Sequence, residues 1–325
     1  MAASIDEQLN LYLMDAHAIE RQALEQVTRA RKVAGDPELA AAFAEHVRET
    51  ERHRTYVEDR LMVRGFDAKG APDKEVSARI TGVAMALFAR LQPDTPGKLV
   101  VHAFSYEHME LAAYELLELL AERAGDRATA ETARTIAREE AAMADRLAAG
   151  FDRAVEASLR ALDPDDVGSR LDTYLADAHA IEAQAESLLR RAPKLAGAEE
   201  LSNAFEEHLG ETRHHAELVE SRLHARGASP SALGDAALRL GALNLGMFLR
   251  SQQDTPAKLA GFAYAFEHLE IGAYELLGRV ARRAGDPETL GMVNRILPQE
   301  RAAARRIRGL FGEALRASLT QTATI

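Results

Sequence analysis

The feature that most constrains this chain is that it is written twice. LYLMDAHAIERQ (Leu11 to Gln22) returns as TYLADAHAIEAQ (Thr173 to Gln184), and FAEHVRETERH (Phe43 to His53) as FEEHLGETRHH (Phe205 to His215). YEHMELAAYELL (Tyr106 to Leu117) likewise returns as FEHLEIGAYELL (Phe266 to Leu277). Matching positions differ by 162 up to Gly65/Gly227 and by 160 from Asp94/Asp254, so one connector differs by two residues. Eight of the eleven histidines fall into matched pairs: His17/His179, His46/His208, His53/His215 and His108/His268. Whatever fold is adopted must be adopted twice, with the same imidazoles and carboxylates in the same places.

The repeat divides the 325 residues into copy one, 1–162, a linker over 163–168, and copy two, 169–325. A copy of that length suffices for its own core. Hydrophobic residues make up 47% but aromatics only 5%, with Ala, Leu, Glu and Arg abundant, so the chain favours helices over a large sheet. A net charge of −11 argues against gripping nucleic acid through its phosphates. The absence of cysteine excludes disulfides, thiolate-bound metal clusters and thiol catalysis. The first residues lack a basic start and apolar run, and no stretch reaches the length of a membrane span. A soluble cytoplasmic protein, bound to neither membrane nor nucleic acid, is expected.

Periodicity predicts four long helices per copy. In the first, Leu9, Leu13, His17, Glu20, Leu24 and Val27 recur at steps of three and four, one stripe of a helix over Ile5 to Val33. Gly35-Asp36-Pro37 reads as stop, N-cap and first-turn proline. The second helix runs to about Arg64, striped by Leu39, Phe43, His46, Thr50, His53, Val57 and Leu61, with Glu49 at the edge. A connector over 66–93 carries its own apolar segment, Val76 to Leu91. The third helix opens at Asp94-Thr95-Pro96 and runs to about Arg123, and the fourth continues past Gly125-Asp126 to about Leu159. Short links within two hairpins and one long crossover between them describe a four-helix bundle of ferritin-like topology, all-α and present twice.

Carboxylates recur near mid-helix: Glu20, Glu49, Glu107, Glu110, Glu139 and Glu140. Residues three or four apart share a helix face, so Glu49 can converge with His53 or with His46, and Glu107 with Glu110. Ionised carboxylates in a dry core cost several kcal/mol each unless paired, and the stripes hold no lysine or arginine. Metal ions resolve the conflict, and hard oxygen donors mixed with imidazole suit iron or manganese. Singly, each residue has a plainer reading, as a hydrogen-bonded core histidine or a solvated glutamate; the pattern carries the argument. Tyr114 and Tyr274 read as packing aromatics or as donors to a ligand. Met14, Met85, Met109 and Met143 read as core filler.

DAHAIExQ, EHxxET with a histidine three residues beyond the threonine, and EHxExxAYE resemble the helix motifs of the YciE/YciF-type ferroxidase family, a branch of the ferritin-like superfamily. The resemblance spans each copy nearly end to end. It implies a carboxylate-bridged di-iron site in each bundle (two iron ions, manganese being the variant), reacting with oxygen or peroxide in ferrous oxidation or stress defence. It also implies dimerisation, here an intramolecular pseudo-dimer of the two copies, with further oligomerisation open. Carried over by position, the resemblance assigns Glu20, Glu49, His53, Glu107, Glu110 and Glu140 as metal ligands in copy one. In copy two it assigns Glu182, Glu211, His215, Glu267, Glu270 and Glu300. The chain departs from the Glu-x-x-His pattern: Glu49 and His53 are four apart, and Met143 and Ala303 stand where a fourth-helix histidine belongs, leaving His17, His46 or His108 to compensate. Gln299 replaces Glu139, and Pro298 precedes Glu300, so the second site is expected to be altered. The competing reading is a metal-free helical stress or scaffold protein that keeps the bundle.

Overall fold

The computed structural model describes residues 4–66, 96–160, 162–163, 166–230 and 255–323. Ten α-helices and one short 3-10 turn make up the regular structure among them. In copy one these are α1 (Ile5–Val33), α2 (Pro37–Val63), α3 (Pro96–Arg123), α4 (Arg127–Ala149) and α5 (Phe151–Leu159). In copy two they are α6 (Val167–Leu189), α7 (Glu199–Ala225), α8 (Thr255–Arg283), α9 (Pro287–Gly309) and α10 (Phe311–Ala323), with the turn Ala192–Leu195 between α6 and α7. The chain is therefore all-α and built as tandem bundles. The expected crossover helix, Val76 to Leu91, and the Asp94 cap fall outside the described residues.

Local chemistry sets the helix ends. Ser4 and Glu7 form a reciprocal capping box at α1, and Asp36 accepts from the backbone of Glu38 and Leu39 ahead of Pro37. Gly35 sits at φ +69°, a conformation that favours glycine, and turns α1 into α2. Asp126 and Asp286 cap α4 and α9 through the backbone N–H of Thr129 and Thr289.

The same aspartates lock one end of each bundle. Arg64, at the end of α2, donates to Asn10 and Asp6 at the start of α1 and to Asp126 at the start of α4. Copy two repeats this with Arg226, Asp172 and Asp286. These contacts join the C-terminal end of one helix to the N-terminal ends of two others, which fixes α2 antiparallel to both α1 and α4.

The fourth helix differs from the single rod expected to Leu159. It is interrupted at Gly150, where a Cβ would lie 2.7 Å from Leu39 Cδ2. The missing side chain lets the start of α2 pack directly on the backbone, and α5 continues from there as a separate segment.

The two copies meet along α3 and α8. Ser105 Oγ donates to the Ala265 carbonyl at 2.7 Å across this seam, and positions 105 and 265 are repeat equivalents, so a pseudo-twofold axis runs between the helices. Lys98 pairs with Asp177 at 2.8 Å and its counterpart Lys258 with Asp15 at 3.0 Å, one reciprocal bridge on each side of the axis. As a result α3 is buried on two faces, one toward its own bundle and one toward the other copy.

Candidate metal centre

Six side chains from four helices meet inside copy one. Glu20 comes from α1, His46 and His53 from α2, Glu107 and Glu110 from α3, and Glu140 from α4; all are buried. They fall into two groups, His46–Glu107–Glu110–Glu140 and Glu20–His53–Glu140, in each of which one donor atom per residue lies within 4.8 Å of the others. Glu140 belongs to both. Its Oε2 is 3.6 Å from His46 Nε2 and its Oε1 is 2.8 Å from His53 Nδ1, so one carboxylate spans two positions. His46 Nε2 also lies 3.0 Å from Glu107 Oε2, and His53 Nδ1 3.8 Å from Glu20 Oε1.

The approaches are close, but the angles are not those of hydrogen bonds. His46 Nε2, His53 Nδ1, Glu20 Oε2, Glu107 Oε2 and both oxygens of Glu110 and Glu140 are buried without a hydrogen-bond partner. Burial of such groups normally requires a partner for each. Here their lone pairs converge on shared space instead, as donors to a cation would.

Each imidazole is oriented from outside. His46 Nδ1 donates to Glu49 Oε2 at 3.0 Å, and Arg146 donates to the same oxygen at 2.6 Å. His53 Nε2 donates to Glu139 Oε2 at 2.7 Å, and Arg52 also donates there. A carboxylate accepting from one ring nitrogen leaves the other as a lone pair aimed inward, the arrangement common to metal-ligating histidines. Tyr114 OH donates to Glu20 Oε1 at 2.5 Å.

Electrostatics record the crowding of charge. Burial, then the neighbouring Glu140, lifts the Glu20 carboxyl to about 8. Burial lifts Glu107 to about 7 and, with Glu140, Glu20 and Glu107 beside it, holds Glu110 well above the carboxylate range. Burial opposes ionisation of Glu140 too, but His53 and His46 outweigh it and hold this carboxyl low. Burial would lower His53, yet Glu140 and Glu20 lift it to about 9. Without a metal, protons and imidazolium charges must balance the cluster.

Copy two reproduces the arrangement in His208–Glu267–Glu270–Glu300 and Glu182–His215–Glu300. His208 Nε2 lies 2.8 Å from Glu267 and 3.7 Å from Glu300; His215 Nδ1 lies 2.6 Å from Glu300 and 3.7 Å from Glu182. Tyr274 donates to Glu182 as Tyr114 does to Glu20.

Of the residues expected at the site, Glu20, His53, Glu107, Glu110 and Glu140 come together, as do their five equivalents. Glu49 and Glu211 do not enter either group; they sit half-buried at the rim, bonded to His46 and His208 one helical turn away. His46 stands inside instead, so of the three compensating histidines it alone faces the cluster. His17 pairs with Glu58 at 3.1 Å on the outer side, and His108 lies at the seam between the copies. Met143 is core and Met14 packs against that core; Met109 packs against a separate small cluster of Ile19, Ala23 and Tyr106; Met85 is outside the described residues. Sequence reasoning missed Arg146 and Arg52 as partners of the outer carboxylates. Periodicity carried no signal for them: Arg146 lies six residues beyond Glu140, off its face of the helix, and its bond to Glu49 depends on how α2 and α4 dock.

A family defined as a domain of unknown function, DUF892, matches residues 4–160 and again 168–320. The chain belongs to the DUF892 family. Its two DUF892 copies account for most of the chain, and each encloses its own buried histidine–glutamate cluster. No solved structure matches this DUF892 protein.

Proposed function

We propose that each repeat is a ferritin-like carboxylate bundle holding two metal ions, iron in the first instance, and that the protein oxidises ferrous iron with oxygen or peroxide. The carrying observation is Glu110: both its oxygens are buried, unbonded and surrounded by other carboxylates. A carboxylate so placed is a liability in a metal-free protein and an asset in a metalloprotein. The YciE/YciF resemblance of the helix motifs supports the same reading and supplies the choice of iron. Manganese satisfies the same donors.

The residues divide the work. Glu140 spans the two positions, His46 and His53 supply neutral nitrogen donors, and Glu20, Glu107 and Glu110 complete the oxygen set. Bound iron would supply the redox electrons. Around it, Glu49, Glu139 and Tyr114 hold the inner side chains in register, and the apolar layers above and below keep water out. No helix among the described residues is long and apolar enough to cross a membrane; in this reading the protein acts in the cytoplasm.

Elemental analysis of the native protein, followed by anaerobic ferrous titration, tests the proposal. The expected result is about two iron ions per bundle, with optical changes on admitting oxygen or peroxide. Manganese in the native protein would keep the centre and change the metal. Failure to take up either ion would leave the metal-free scaffold as the function.

A further inference from the structure

The inner donors of the two centres agree residue for residue, but one of their outer supports does not. In copy one His53 Nε2 donates to the Glu139 carboxylate at 2.7 Å, and Arg52 anchors that carboxylate at 2.7 Å. In copy two His215 Nε2 donates to the Gln299 amide oxygen at 2.9 Å. The hydrogen bond and ring orientation survive; the negative charge behind the ring does not. His214 takes the place of Arg52 and faces Glu217 instead.

The loss of a carboxylate touches one metal position only. At the neighbouring position both copies keep a carboxylate, Glu49 behind His46 and Glu211 behind His208. Arg146 shares Glu49, whereas its counterpart Arg306 reaches Glu207, so Glu211 loses none of its donor-supporting charge to a direct arginine bond of that kind. A carboxylate acceptor pulls on the far N–H and makes the imidazole a stronger electron-pair donor; a neutral amide pulls much less.

We infer that the four metal positions are unequal, and that the one framed by Glu182, His215 and Glu300 binds its ion most weakly because Gln299 stands where Glu139 stands in copy one. It fills last and empties first. The two copies are then functionally distinct: copy one holds a complete pair at metal concentrations where copy two holds a single ion on the His208 side. This rests on the proposed metal centre and adds an order of filling to it.

The test is titration of the metal-free full chain with Co(II), whose visible absorption reports coordination, against a competing chelator, for wild type, Glu139→Gln and Gln299→Glu. Both substitutions lie at the rim, and circular dichroism checks the fold. Wild type is expected to show roughly three tight equivalents and one weaker by about 10- to 100-fold. Gln299→Glu should convert the weak equivalent to a tight one, and Glu139→Gln should create a second weak one. Four equal equivalents in wild type overturn the inference, as does inequality that neither exchange moves. Absence of Co(II) uptake in all three proteins fails differently, by removing the centre itself.

Discussion

His108 and His268 occupy equivalent positions in the two repeats and stack face to face, with ring centroids 3.5 Å apart and planes 14° from parallel. Each Nδ1 donates to the carbonyl one turn back in its own helix, Phe104 and Tyr264, at 2.8 Å. Burial holds both rings below their usual basicity, to about 4 for His108. Two neutral imidazoles can stack at this distance; two charged ones would repel. Because Glu107 and Glu267 are their immediate neighbours in sequence, α3 and α8 carry cluster residues on one face and the seam between the copies on another. The repeats are thus a covalent pseudo-dimer whose two histidine–glutamate clusters are joined through one pair of packed helices.

The seam is packed asymmetrically. Gly272 faces Val101, and a Cβ added there would lie 3.0 Å from Val101 Cγ1; the equivalent pair across the axis is Gly261 against Ala112. Gly272→Val should therefore overpack the seam and destabilise by about 1–3 kcal/mol. Adding Val101→Ala should restore most of that loss, because the other side of the axis already tolerates a small residue. Urea melts of the two single variants and the double give the coupling directly.

Glu110 is expected to reverse its sign with metal. In the metal-free protein Glu110→Gln should leave thermal stability unchanged or raise it by about 1 kcal/mol, since it removes an acid from a crowd of acids. In wild type, saturating metal at about 100 times its dissociation constant should add roughly 2.7 kcal/mol, an increment Glu110→Gln should lack at copy one. Calorimetric melts with and without metal separate the two effects. A large loss of stability in the metal-free variant would show that the glutamate is structural.

These outcomes also show where the sequence was readable. Gly35-Asp36-Pro37 and Gly125-Asp126 marked helix boundaries because capping and left-handed turns are local chemistry. Glu20, His53, Glu107 and Glu110 were recognisable because three- and four-residue spacing fixes a helix face, whereas Glu140 was separated from its neighbour Glu139 only by the resemblance. Periodicity also put His46 on the inward stripe of α2 and Glu49 at its edge, as the structure has them; it was the position carried over from the resemblance that made Glu49 a ligand, and Arg146, reaching over from α4, holds it at the rim. His108 stood among the histidines that could compensate for the missing fourth-helix ligand, and only the docking of the second copy reveals its face of α3 as a seam. The break at Gly150 likewise depends on Leu39, far away in sequence.

Tyr114 tests the support of the helix-one ligand. Its hydroxyl, buried and donating to Glu20 at 2.5 Å, is removed by Tyr114→Phe without changing the ring. A Glu20 oxygen then loses its partner, at a cost of about 1–3 kcal/mol. Metal affinity at copy one should fall about 10- to 100-fold while copy two is unaffected. Tyr274→Phe should give the mirror result. If neither variant alters affinity, the tyrosines are packing residues only.

Asp286 makes a prediction about acid. Burial works against its charge, but the Thr289 backbone N–H and Arg222 outweigh it and hold the carboxyl at about 2. An unfolded aspartate titrates near ~3.9. Above about pH 5 both states are ionised and the full stabilisation is present; as the pH falls from about 4 to about 2, the unfolded chain takes up a proton first and the stabilisation is lost. The advantage of wild type over Asp286→Asn should therefore be constant above about pH 5 and shrink, by on the order of 1 kcal/mol, as the pH approaches about 2. Urea melts of both proteins at several pH values measure this, with Asp126 unaltered in both as the matching lock of copy one. No gap at any pH would mean that Asp286 acts through its cap geometry alone, which asparagine preserves, and not through its charge on Arg222 and Arg226.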